Sequence, residues 1–337
     1  MKKIRIAING FGRIGRMFFR VSYDRENFDI VAINDLMEPY TMAHLLKYDS
    51  VHRRFTGTVE PNSDHLKVNG KKIAIFRQPD PEKLPWKELE IDIVIEATGK
   101  FTTKEDALKH VEKSGARKVI ISAPAKGESD GVQYIVLGVN DHLINREDVI
   151  ISNSSCTTNN VAPLIKILDD NWGIEKAFMT TVHSYTRDQN ILDGPHNDLR
   201  RGRTAAYSIV PTTTGAAKAV TKIFPHLSEN LGGAGIRVPV PDGSLTDVTC
   251  TLKRCTSVEE INAKFKEASE TFLKGILEYT EDPIVSMDII GNPHSAVFDS
   301  LLTAVLGDKN KLVKVVAWYD NEVGYSNRLA ELVERFV

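Results

Sequence analysis

The stretch Ile4-Arg-Ile-Ala-Ile-Asn9-Gly10-Phe11-Gly12-Arg13-Ile14-Gly15-Arg16 decides the fold. Ile4, Ile6 and Ile8 alternate as in a strand, and from Ile14 the apolar spacing turns helical, so Gly10, Gly12 and Gly15 fall at a strand-to-helix junction. Glycines so spaced allow a tight turn, close approach of a pyrophosphate to the backbone, and close packing of helix on strand; the free N–H groups of the helix start face the phosphate. Phe28 to Asn34 reads as a second strand, completing one β-α-β unit. Asp35 follows it, 20 residues after Gly15, where a carboxylate accepts both ribose hydroxyls and repels a 2′-phosphate. The expected cofactor is therefore NAD rather than NADP. A glycine-rich structural turn would account for the glycines but not for the strand, helix and acid around them.

Outward from this unit, Asn69-Gly70 between two β-rich runs signals a hairpin within Lys67 to Phe76. Ile91 to Ala97 reads as a buried strand, Lys104 to Ser114 as a helix stopped by Gly115, and Lys118 to Ser122 as the next strand. The first half is thus a doubly wound α/β layer. Val149 to Asn153 is another buried strand, after which Ser154-Ser155-Cys156-Thr157-Thr158 leads into a helix expected from Asn159 to Asp170. Later strands (Glu175 to Val182, Gly235 to Val238, Leu245 to Lys253) and helices (Gly215 to Phe224, Val258 to Ser269) do not strictly alternate, which predicts an α+β second domain. The expected boundaries are 1–155 and 156–320.

The 337 residues suit two domains, and 43 Lys and Arg against 45 Asp and Glu leave a net charge of −2, without the basic excess of a dedicated nucleic-acid binder. Three cysteines with no Cys-x-x-Cys pair cannot form a disulfide framework or a four-thiolate zinc site. No metal is expected. The apolar run after Met1-Lys-Lys stops at Asn9-Gly10, too short for a signal core, and no segment approaches the ~18 apolar residues of a membrane span. A cytoplasmic protein is expected.

Cys156 lies between a strand end and a helix start among small hydroxyl residues, a setting in which the helix dipole lowers a thiol pKa. His183 ends a strand and is a candidate base for it, although nine histidines make a chance pairing easy. Cys250 and Cys255 read as inert. Arg200, Arg201 and Arg203, with Thr212-Thr213-Thr214-Gly215 leading into a helix, resemble an anion site. Arg237, in an otherwise apolar strand, is either ion-paired or part of a second such site. Together these features suggest oxidation of a phosphorylated aldehyde through a thioester.

The chain also resembles the phosphorylating, NAD-dependent glyceraldehyde-3-phosphate dehydrogenases of glycolysis, essentially end to end. The resemblance runs through Ile8 to Arg16, Asn34-Asp35, Glu96-Ala-Thr-Gly-Lys-Phe101, Ser152 to Asn159, Thr181-Val-His183, Pro211 to Lys218 and Trp318-Tyr-Asp-Asn-Glu322. It implies Cys156 as nucleophile and His183 as base. Ser155, Thr157, Arg201, Thr214 and Gly215 match the pocket for inorganic phosphate; Thr186, Asp188 and Arg237 match that for the substrate's own phosphate. Asn9, Gly10, Phe11, Gly12, Arg13, Ile14, Gly15, Asp35, Thr98, Gly99, Ser122, Pro195, Asn321 and Tyr325 match cofactor-binding positions. It further implies that helix 321–337 returns to the first domain, a Rossmann-type fold, beside a catalytic domain with a mixed sheet. A homotetramer is implied, with the loop of Tyr185 to Tyr207 reaching a neighbour's cofactor.

Two departures stand out. Asn160 replaces a second cysteine that most of the family carry four residues after the nucleophile, and Pro241-Asp-Gly-Ser244 differs from the usual Pro-x-Asn-x-Ser. The nearest rival reading is erythrose-4-phosphate dehydrogenase, which hydrolyses its thioester; Thr212-Thr213-Thr214-Gly215 speaks against it. A nucleotide-binding module acting on RNA lacks a basic surface, and a thiol hydrolase leaves the glycine fingerprint unexplained.

Overall fold

A computed structural model describes residues 2–126, 131–307 and 309–337. Contacts divide the chain into two compact units, Met1–Ile135 with Asp141–Ser154 and Ser326–Val337, and Val136–Asn140 with Ser155–Tyr325.

The first unit is a nine-stranded sheet. Its strands are β1 (Ile4–Asn9), β2 (Phe28–Asn34), β3 (Val59–Pro61), β4 (His65–Val68), β5 (Lys71–Phe76), β6 (Ile93–Glu96), β7 (Lys118–Ile121), β8 (Gln133–Tyr134) and β9 (Ile150–Ser152), in the order β3-β4-β5-β2-β1-β6-β7-β9-β8. β2 and β6 flank β1 in parallel, so the carboxyl end of β1 is the topological switch point where such sheets bind ligands. Helices α1 (Arg13–Ser22), α2 (Pro39–Lys47) and α3 (Lys104–Glu112) provide the crossovers. Asn69 (φ +46°) and Gly70 (φ +84°) form the turn between antiparallel β4 and β5. The strands are nearly continuous apolar runs because both faces are covered: Ala7, Ala32, Val94, Val119 and Ile121 pack with Trp86, Leu84 and Ala107.

The second unit holds an eight-stranded mixed sheet. Its strands are β10 (Ile174–Ser184), β11 (Val210–Thr212), β12 (Leu231–Val238), β13 (Ser244–Leu252), β14 (Leu277–Thr280), β15 (Ala296–Asp299), β16 (Ala304–Leu306) and β17 (Leu312–Tyr319). They run β11-β12-β10-β13-β17-β15-β14, with β16 on β17. Against it pack α4 (Cys156–Trp172) and α6 (Val258–Glu270), while α5 (Ala216–Ile223) lies along α4. The last helix, α7 (Val323–Phe336), passes into the first unit from Ser326 onward.

Two sequence expectations need correction. Residues 136–140 fall in the second unit rather than in 1–155, because Val136 and Val139 bury their side chains against Ala162. The helix expected from Asn159 begins at Cys156 instead, because the Ser155 hydroxyl accepts the Thr158 N–H at 3.1 Å and caps it three residues earlier. Among the described residues no helix is long and apolar enough to cross a membrane.

Candidate functional site

In the first unit, the turn after β1 is shaped by what it excludes. A Cβ at Gly15 would lie 2.0 Å from the Gly10 carbonyl oxygen, and one at Gly10 (φ +96°) would lie 2.6 Å from the Thr98 nitrogen. A Cβ at Gly12 would meet nothing within 4 Å, so the space over the uncapped start of α1 is open to a phosphate. Phe11 N–H donates to Asp35 Oδ2 (2.7 Å) and Met37 N–H to Oδ1 (3.0 Å), fixing the carboxylate beside the turn. These residues fit a dinucleotide. Arg13 is turned onto Asp49, Ile14 continues α1, Gly99 (φ +70°) forms the bend after Thr98, and Ser122 N–H donates to the Glu96 carbonyl at 2.9 Å.

Beneath the turn lies a polar network that sequence reading missed. Glu96, 1% exposed, accepts Asn9 Nδ2–H at 2.5 Å, Thr98 N–H at 2.8 Å and the Thr98 hydroxyl. Its Oε2 is also 3.2 Å from Nε2 of the fully buried His110. Trp86 Nε1–H, which can only donate, points at His110 Nδ1 (3.0 Å), so the imidazole proton sits on Nε2 and is donated to Glu96. Asn9 Oδ1 in turn accepts from Asn34 (2.7 Å).

In the second unit, Ser154 takes φ +55° just before it begins, a left-handed turn that redirects the chain into α4. Cys156 then occupies the first helical position, with Sγ 3.5 Å from His183 Nε2 at the end of β10. β12 runs parallel to β10 with Arg237 directly opposite His183. Arg237 Nη1 lies 2.6 Å from His183 Nδ1 and donates to the Ser184 carbonyl at 2.9 Å. Thr157 and Thr181 both bond the buried Tyr319 hydroxyl at 2.9 Å, which holds the first turn of α4 to the sheet. Asn321 Oδ1 accepts from Ser184 (2.9 Å) and Ser244 (2.6 Å), leaving its amide N–H groups to donate elsewhere. That gives Ser244, in the departing Pro241–Ser244 run, a definite contact. Tyr325 is buried and Pro195 accepts from Asn190 at 3.3 Å.

Arg201 donates through Nε to Thr212 (2.8 Å) and through Nη2 to the Thr213 carbonyl (3.2 Å), and its Nη1 pairs with Asp188. The Thr214 hydroxyl accepts Ala216 N–H at 3.2 Å, while Gly215 at the start of α5 is open, with nothing within 4 Å of its would-be Cβ. Thr186 N–H donates to Gln189 at 3.3 Å. Asp188 and Arg201, matched to separate pockets from the sequence, are thus joined by an ion pair.

The electrostatics correct one expectation. Burial pushes the Cys156 thiol up, outweighing the charge of Arg237 and the N–H and hydroxyl of Thr157, which act the other way. Burial, and then Arg237, bring His183 down to about 3. Desolvation thus acts against charge on both the thiol and the imidazole, and at the thiol it outweighs the helix start. Cys250 is inert, pushed up to about 12 by burial.

An α/β unit that fits a dinucleotide, joined in one chain to a unit carrying a thiol–imidazole pair, points to the class of NAD-dependent oxidoreductases. Residues 4–104 match the NAD binding domain of glyceraldehyde 3-phosphate dehydrogenase and residues 155–321 its C-terminal domain. The chain is 55% identical over 332 residues (98% of each chain) to glyceraldehyde-3-phosphate dehydrogenase of Thermotoga maritima. It is 52% identical over 330 residues to that of Geobacillus stearothermophilus, covering 98% of this chain and 97% of the relative. With glyceraldehyde-3-phosphate dehydrogenase 2 of Bacillus subtilis it shares 51% over 332 residues, 98% and 96% of the two chains. The chain belongs to the glyceraldehyde-3-phosphate dehydrogenase family, and its cofactor is NAD.

Proposed function

We propose that the protein oxidises D-glyceraldehyde 3-phosphate to 1,3-bisphosphoglycerate with inorganic phosphate, using Cys156 as nucleophile and His183 as base. The observation that carries the assignment is the 3.5 Å approach of Cys156 Sγ to His183 Nε2 at the first turn of α4. NAD, when bound, would supply the two-electron acceptor at its nicotinamide ring; the glycine turn and Asp35 would hold its phosphates and ribose, with Thr98, Gly99 and Ser122 beyond the turn. Cys156 Sγ adds to the aldehyde carbon, and His183 Nε2 takes the hemithioacetal hydroxyl proton as that carbon is oxidised to a thioester. The main-chain N–H of Cys156, at the first position of α4, faces the oxyanion, a contribution of ~3 to 4 kcal/mol in comparable sites. Inorganic phosphate, oriented by Thr157, Arg201 and the open start of α5, attacks the thioester and expels the thiolate. Arg237 and Thr186 hold the substrate's own phosphate.

Exposed apolar residues on the loop around Pro195 (Ile191, Leu192, Leu199 and Tyr207, each at least 75% exposed) support assembly of copies into a homotetramer, which light scattering checks. Free cysteines support a reducing, cytoplasmic setting. The deciding experiment is NADH formation from glyceraldehyde 3-phosphate and NAD with and without inorganic phosphate, in wild type and Cys156→Ser. A phosphate-dependent signal lost in the variant is expected; phosphate-independent turnover would move the reading to a hydrolytic enzyme.

A further inference from the structure

The buried network beneath the glycine turn runs in one direction. The Gln78 main-chain N–H donates to Asn34 Oδ1 (2.8 Å), Asn34 Nδ2–H to Asn9 Oδ1 (2.7 Å), and Asn9 Nδ2–H to Glu96 Oε2 (2.5 Å). From the other side Trp86 Nε1–H donates to His110 Nδ1 (3.0 Å), and His110 Nε2–H to the same Glu96 oxygen (3.2 Å). Glu96 Oε1 takes the Thr98 N–H (2.8 Å) and the Thr98 hydroxyl. Both lines of donors end on one side chain, two donors at each oxygen, which fills the four acceptor sites of a carboxylate. All these residues belong to the first unit, and Asn34, Asn9 and Glu96 stand in one cross-strand row at the ends of β2, β1 and β6.

Glu96 also holds what shapes the turn. The Thr98 nitrogen bonded to it is the atom that a Cβ at Gly10 would approach to 2.6 Å. Ala97 N–H donates to the Asn9 carbonyl (2.7 Å) and Gly10 N–H to the Asn34 carbonyl (2.8 Å), so the backbone of the three strand ends is tied at the same level. The Gly10 carbonyl oxygen is in turn the seat of Gly15, only 2.0 Å from its would-be Cβ. A shift of Thr98 therefore passes through Gly10 to the start of α1, whose free N–H groups would meet the pyrophosphate.

We propose that Glu96 is a positioning residue for NAD: as the terminal acceptor of a one-way chain of donors it fixes Thr98, and with it the spacing of the glycine turn, while Trp86 sets the polarity of the chain through the His110 tautomer. The inference rests on NAD as cofactor and not on the aldehyde reaction, so it is tested by binding without turnover. A buried carboxylate is a poor device for stability alone, since well-packed apolar side chains of similar volume serve that end as well or better. Its place, at the carboxyl ends of the strands beside the switch point, is where such sheets bind ligands.

The test is NAD affinity by isothermal titration calorimetry, with stability in urea measured beside it. In Glu96→Gln one oxygen becomes an NH2 group, and whichever way the amide lies it opposes a donor, either the Thr98 N–H or those of Asn9 and His110. NAD should bind about tenfold more weakly. Adding Trp86→Phe lets His110 move its proton to Nδ1, so that Nε2 accepts from the Gln amide and the amide oxygen returns to the Thr98 N–H. The double variant should bind NAD about threefold more tightly than Glu96→Gln. It should be no more stable in urea, because the new Nδ1–H faces an apolar ring. A network that only supports the fold would lower the urea midpoints and leave the NAD dissociation constant unchanged; one whose polarity is immaterial would make the double variant the weaker binder. Either result overturns the proposal. Ring ¹⁵N shifts of histidine-labelled wild type, with His110 assigned from its absence in His110→Gln, test the polarity with Glu96 in place. Nε2 should carry the proton and Nδ1 should be bare; a proton on Nδ1 would break the chain and refute the proposal.

Discussion

Each unit contains a buried histidine, and the two are treated in opposite ways. In the first, Trp86 can only donate to Nδ1, which puts the proton of His110 on Nε2, where Glu96 accepts it and the Asn9 amide lies 3.3 Å away. In the second, a pure donor and a pure acceptor meet at Nδ1 of His183, with the Ser184 hydroxyl 3.5 Å from the same atom. The histidine under the cofactor turn has its tautomer fixed by one donor, whereas the one beside the thiol faces competing partners. A binding cradle gains from having one arrangement, and a proton-transfer group needs two of nearly equal energy.

The largest effect separating the two is on turnover. His183→Gln should lower kcat by ~10²–10⁴ without changing NAD affinity, whereas His110→Gln should raise the KM for NAD and leave kcat at saturating NAD near wild type. Steady-state kinetics with both substrates varied would break the distinction if His110→Gln lost kcat.

Next comes an acid effect. His183 lies at about 3 in the folded chain, against ~6.5 unfolded, so the unfolded chain takes the proton first. The stabilisation is complete above pH ~6.5 and is lost as pH falls toward about 3, on the order of 5 kcal/mol in all. Asp49 does not obscure this window. Its burial is outweighed by the His52 N–H and Arg13, so it sits at about 2 and its contribution fades only below pH ~4. Denaturant titrations from pH 7 to 4.5 should give a stability slope in wild type that His183→Gln flattens; equal slopes would remove the claim that this imidazole is held neutral.

How much of this the sequence carried follows from the range of the interactions. The glycine turn, Asp35 and the Asn69-Gly70 hairpin are local, and their spacing alone announces them. Cys156 was legible as a residue but not as a helix opener, since a serine three residues before a threonine is a weak capping signal. The contact of His183 with Arg237 was not legible at all. It depends on β10 and β12 pairing in one register, across 54 residues, and a slip of one residue would send one side chain to the other face. β17 was unread for a similar reason: Leu312–Tyr319 finds its place only between β13 and β15, yet it delivers Tyr319 to the site. The Glu96 network was hidden because its members come from β1, β6, α3 and the segment before β6.

Removing one donor from the locked side sharpens the comparison at lower cost. Trp86→Phe preserves most of the buried ring but strands His110 Nδ1, for about 1–3 kcal/mol of stability in urea titrations. Loss of that donor also lets His110 take either tautomer, so the KM for NAD should rise with it; an unchanged KM would mean that the network supports the fold without setting the turn.

The smallest effect lies at Asn160, whose Nδ2 donates to the carbonyls of Ser295 (3.4 Å) and Trp318 (3.3 Å) from the buried face of α4. These bonds are long, so Asn160→Ala should cost only about 1 kcal/mol and leave kcat unchanged. The amide has a second consequence, because it stands one helical turn from Cys156 where a thiol could otherwise capture an oxidised sulfur. Peroxide should therefore carry Cys156 to sulfenic acid and higher oxides, or to mixed disulfides with added thiol, rather than into an internal disulfide. Cys250, buried and pushed up to about 12, is no substitute partner. Peptide mass spectrometry after peroxide treatment checks this, and a dominant intrachain disulfide at Cys156 would show that a distant cysteine can reach it.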